Sequence, residues 1–157
     1  MATTEQRAPL MLEEEEQTLL LQELEDYLAL LSVERRATYR PLWEQVVAGH
    51  VGPEHMTTLG EVVALSLMSG RARRRYTAEG ERILTALFRR TPQGEALNAR
   101  LAQVNRALGA LRNRPLEAMR VGMRTLGHFT LQVRADGVTL TLTFRPHGVE
   151  VESITAG

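Results

Sequence analysis

The chain has 157 residues, 43% hydrophobic and 24% charged, with 19 basic against 19 acidic side chains, so its formal charge is zero. That length supports one domain whose core needs no covalent staple. Cysteine and lysine are both absent, which excludes disulfides, thiolate metal sites, thiol nucleophiles, Walker-type phosphate loops, Schiff-base lysines and kinase-type lysines.

Residues 1–9 are polar with one proline and read as a flexible tail. A helix is predicted from about Pro9. Its early glutamates, Glu13 to Glu16, suit the positive end of the helix dipole, and Leu20, Leu21, Leu24, Tyr27, Leu28 and Leu31 form a wide apolar stripe. A second helix follows Pro41, with Leu42, Trp43, Val46 and Val47 on one face and Gly49 as its stop. Residues 50–56, containing Gly52 and Pro53, read as a loop.

The pattern Thr-x-x-Gly-Glu occurs three times, at Thr57–Glu61, Thr77–Glu81 and Thr91–Glu95. A threonine hydroxyl caps free amides and a glutamate favours the first turn, so each copy is read as a helix start. The helices opened this way run over about 58–69, 78–90 and 92–112. The first is almost wholly apolar and belongs at the centre of a core. In the third, Leu97, Leu101, Val104, Leu108 and Leu111 follow a heptad-like spacing, which favours a bundle helix over a dimer seam at this length.

After Asn113 and Pro115 a shorter helix is predicted from Leu116, Met119, Met123 and Leu126, ended by Gly127. The period then changes to two. Phe129, Leu131 and Val133 alternate with polar residues, as do Val138, Leu140, Leu142 and Phe144 after the Asp136-Gly137 turn. Val149 and Val151 do so after Pro146 and Gly148. The fold class expected is α+β: a bundle of five or six helices over 10–126, then a three-stranded antiparallel β-meander over 128–155, in one domain spanning 1–157.

Little in this pattern points to catalysis. His50 and His55 are separated by Gly52 and Pro53 and cannot share a helical face as zinc ligands do, and His128 and His147 stand alone. No serine sits in a nucleophile elbow, and no carboxylate pair can be named. The expectation is a non-enzymatic protein with no metal or cofactor. With no basic-then-apolar leader and no long apolar run, it is also expected to be cytoplasmic with no membrane partner.

Charge is the more informative feature. Residues 1–66 carry four Arg against twelve acids, and residues 67–134 carry fourteen Arg against four acids. Arg71, Arg73, Arg74 and Arg75 crowd a junction between predicted helices beside Tyr76. They are the candidate partner-binding residues, facing a protein partner, a nucleic-acid phosphate or the acidic first helix. Residues 74–84 resemble the stretch that follows the wing in winged-helix transcription regulators. The two wing strands that should precede it are missing, because 59–70 reads as helix, so no family follows. The functional expectation is an adaptor, regulator or assembly subunit working through protein contacts and self-association, with nucleic-acid binding by the Arg-rich middle as the alternative.

Overall fold

A computed structural model of the chain describes residues 8–157; most of the tail expected over 1–9 therefore lies outside the described residues. The fold is α+β, and its contacts divide the chain into two compact units, residues 1–95 and 96–157.

The first unit is helical. β1 (Leu10–Met11) pairs antiparallel with β2 (His50–Val51), so part of the expected loop after residue 49 is a short strand. The first helix, α1, spans Glu14–Ala29 and begins later than expected because Leu10 and Met11 are committed to that pairing. Glu13 and Glu16 form a reciprocal capping box at its start, with the Glu13 amide donating to Glu16 Oε2 at 3.0 Å. α2 (Val33–Val47) holds Pro41 in its interior rather than at its beginning, and Gly49 follows at φ 80°. A 3₁₀ turn at Pro53–His55 leads into α3 (Met56–Met68), then α4 (Arg71–Arg75) and α5 (Thr77–Arg89). α3 occupies the centre, as its apolar sequence predicts: Leu59, Val62 and Val63 are buried together with Leu20, Leu24, Leu42, Val46, Leu84 and Leu87.

α6 (Pro92–Gly109) starts in the first unit and continues into the second. The Thr-x-x-Gly-Glu copies differ in detail from the capping expectation. Thr91 behaves as predicted, its Oγ1 accepting from the Gly94 amide at 3.3 Å. In the first copy Thr57, and Thr58 beside it, lie inside α3 and make no cap, because the 3₁₀ turn runs directly into α3 and His55 takes the cap position; Thr77 is the first residue of α5, at the strained φ of 43°. The glycines have a packing reason. A Cβ on Gly60 would lie 2.1 Å from Gln93 Oε1, and Gln93 Nε2 donates to the Thr57 carbonyl at 2.8 Å. The first and third copies thus interlock at two helix starts.

In the second unit the rest of α6 is followed by β3 (Leu116–Thr125), β4 (His128–Ala135), β5 (Val138–Arg145) and β6 (Gly148–Ala156), all antiparallel in that spatial order. Asp136 and Gly137, at φ 46° and 72°, make the type I′ geometry that a two-residue hairpin loop needs. The sheet has four strands rather than three, and the helix expected over 116–126 is the additional one. Leu116, Met119, Met123 and Leu126 satisfy a helical period, but Met119, Val121 and Met123 also alternate with Arg120, Gly122 and Arg124. Pairing of this segment with β4 decides between the two periods. The helical part accordingly ends at α6.

Candidate interaction surface

The strands of the second unit place apolar residues on one face at alternate positions, with a bulge in β6 between Val151 and Ile154, and the registers align these positions into rows. Met119 pairs with Val133, Val133 with Leu140 and Leu140 with Ile154. The next row is Val121, Leu131, Leu142 and Val151, and the next Met123, Phe129, Phe144 and Val149. The sheet therefore presents a continuous apolar face.

Cover over that face is uneven. Val104 and Ala107 of α6 are buried with Leu140 and Leu142, and Leu111, Leu131, Val149 and Val151 pack around them. The β3 column is different: Leu116, Met119, Val121 and Met123 are 59%, 60%, 68% and 62% exposed. At the adjoining hairpin Leu126 is 91% exposed. One α-helix is about 10 Å across and strands lie about 4.8 Å apart, so a single helix covers roughly two strands. β3 is also a margin of the sheet, with β4 on one side and no strand on the other among the described residues. An apolar column on an open strand is the arrangement that soluble proteins ordinarily blunt with charge, proline or cover.

The opposite face is polar. Arg120, Gly122, Arg124, Thr130, Gln132, Thr141, Glu152 and Ser153 line a shallow depression of about 420 Å³. Arg124 pairs with Glu152, whose other carboxylate oxygen accepts from Thr143 Oγ1 at 2.8 Å. These contacts hold the Glu152 carboxyl below its ordinary value, the Thr143 hydroxyl contributing most and Arg124 next.

The arginine cluster singled out in the sequence lies in the first unit, on and beside α4. Arg71 pairs with the fully buried Glu23, and Arg75 pairs with Asp26 while its guanidinium stands 5.5 Å from the Tyr76 ring centre. Arg73 reaches Glu81 at 4.0 Å. Arg74 has no ion pair or side-chain hydrogen bond among the described residues. Tyr76 lies beside Glu23, and burial first, then that carboxylate, pushes its phenol well above the ordinary tyrosine value. The structure thus brings Arg71, Arg75 and Tyr76 together around acids of α1, and leaves Arg73 and Arg74 toward solvent.

The histidines remain apart from any metal-like grouping: no three His, Asp or Glu side chains converge as ligands among the described residues. His128 and His147 do share a cleft of about 290 Å³ with Arg100 and Arg145, which their sequence separation conceals. No helix among the described residues is long and apolar enough to cross a membrane.

The β3 surface was missed by reading 116–126 as helix. The available signal was the alternation from Met119 to Arg124. In comparisons with known proteins, no family model, curated protein or solved structure matches this chain.

Proposed function

We propose that this is a non-enzymatic interaction protein, an adaptor, regulator or assembly subunit, whose docking surface is the uncovered apolar column of β3. The observation that carries this reading is the exposure of Met119, Val121 and Met123 side by side on an open strand. Covering such side chains is worth on the order of 1–2 kcal/mol each, allowing for the part already buried. That makes the column a hydrophobic anchor rather than scattered surface residues. Backbone groups on the free side of β3 add the hydrogen bonds of strand addition.

The arginine patch plays a different part. Arg71 and Arg75 hold α4 to α1, so any contact made by the cluster with a partner falls to Arg73 and Arg74. A second reading, nucleic-acid binding, draws on Arg74 and on arginines outside the cluster: Arg74, Arg89, Arg100, Arg106, Arg112 and Arg120 have no ion pair among the described residues.

Sedimentation equilibrium from micromolar to near-millimolar protein tests the first reading. The native chain is expected to exceed its monomer mass of 17.6 kDa as concentration rises. Met119→Glu with Met123→Glu is expected to remain monomeric with native circular dichroism. A native chain that stays monomeric, yet binds mixed-sequence DNA or RNA with an affinity falling steeply with salt, would replace this reading with the second.

A further inference from the structure

We infer that β3 pairs antiparallel with β3 of a second copy of this chain, with Val121 on the two-fold axis. The inference rests on the docking surface proposed above and names its occupant: pairing through the free edge of β3 sets the two uncovered columns side by side, so that each shields the flank of the other.

A symmetric antiparallel pair of identical strands keeps its apolar columns on one side of the joined sheet only when the axis passes through a residue rather than between two. β3 is regular between bulges at Leu116/Ala118 and Met123/Thr125, which limits the positions for that axis. Centred on Arg120, the pair sets two guanidinium groups directly opposite one another. Centred on Gly122, it sets Arg120 opposite Arg124 of the second copy. Like charges in directly opposed positions destabilise a strand pair. Centred on Met119 or Met123, it sets Val121 opposite Glu117 or Thr125 and runs into a bulge.

Centred on Val121, every pair is compatible. Val121 meets Val121, and Met119 meets Met123. On the other face Arg120 meets Gly122, and the pairing keeps within the regular stretch, ending at Met119 and Met123 before Arg124 enters the bulge. Within that stretch the arginine faces a glycine and each apolar residue faces another, an isologous match written within one strand.

Gly122 supplies an independent observation. Its φ is outside the left-handed region, and a Cβ there would meet only the rotatable Thr130 hydroxyl, at 3.1 Å. Neither a turn nor a close backbone approach within the chain calls for glycine at this position. Glycine inside a strand weakens it and marks the close approach of another group. The Val121-centred register provides that group. Arg120 of the second copy lies over Gly122, in the depression that Thr130 and Gln132 help to line.

The chain has no cysteine of its own, so single-cysteine variants report one position each. Directly opposed residues of antiparallel strands have Cα atoms about 4.5–5.5 Å apart, within disulfide reach. Under mild oxidation Val121→Cys is expected to form a covalent dimer. Met119→Cys alone is expected not to, but to link with Met123→Cys when the two variants are mixed. Ile154→Cys, half-exposed on β6, serves as the control. Gly122→Val is expected to weaken dimerisation by about tenfold or more without lowering the melting temperature of the dilute, monomeric protein, since valine suits a strand better than glycine. A native chain that sediments above monomer mass while Val121→Cys links no better than Ile154→Cys would overturn this register and leave the docking surface standing. A native chain that is monomeric throughout would overturn both. Gly122→Val with unchanged dimerisation would likewise count against the register.

Discussion

Glu23 has no exposed surface, and Arg71, 48 residues away, answers its charge. Removing one partner of a buried pair leaves the other charge uncompensated, which outweighs the loss of the contact itself. Arg71→Ala is therefore expected to lower unfolding free energy in urea by about 3 kcal/mol, whereas Arg74→Ala changes it by less than about 0.5 kcal/mol. Equal effects would show that the cluster does not divide as described. The sequence displayed these arginines but not their partners: Glu23 and Asp26 are distant in the chain, and their place on α1 beside α4 comes from tertiary packing. Glu152 makes a pH statement in the second unit. Its folded-state pKa is depressed, so its contribution is present above its unfolded-state pKa and lost as pH falls through the folded one. Glu152→Gln is expected to flatten the acid side of the stability profile and leave the alkaline side unchanged, measured by thermal melts across pH.

At the scale of elements, amphipathic pattern and stop signals made most of the chain legible. α3 and α5 fall within a residue or two of their expected spans, α6 ends about three residues early, and Asp136-Gly137 is the turn its residue types demand. β3 was illegible for a physical reason. Residues 116–126 carry both a helical and a strand period, and only the partner strand β4, later in the chain, selects one. The repeated Thr-x-x-Gly-Glu pattern was legible as helix starts but not as an interlock, because Gly60 and Gln93 meet only once the first unit is packed. Thr91→Ala removes the hydroxyl cap of α6 and is expected to cost about 1 kcal/mol, while Thr58→Ala, which removes no cap, is expected to stay within about 0.5 kcal/mol. Chemical denaturation of both variants checks this. A larger loss at Thr58 would contradict the capping assignment.

At the scale of the molecule, the net neutrality of the chain hides a division between its units. Residues 1–95 carry eleven Arg against fifteen acids, and residues 96–157 carry eight Arg against four acids. In the first unit much of that charge is spent on ion pairs that hold helices together, including Arg71–Glu23, Arg75–Asp26 and Arg90–Glu16. The second unit joins a one-helix cover to a four-stranded sheet, and the resulting shortfall of cover is concentrated on β3. The contact role proposed for β3 draws on that incomplete burial. Amide hydrogen exchange of the native chain at dilute and concentrated protein tests that claim most directly, because it reads each strand margin separately. Residues 118–124 of β3 are expected to gain protection in the concentrated sample while β6, the other margin, exchanges equally in both. Equal exchange of β3 at both concentrations, or protection gained at β6 alone, would contradict it.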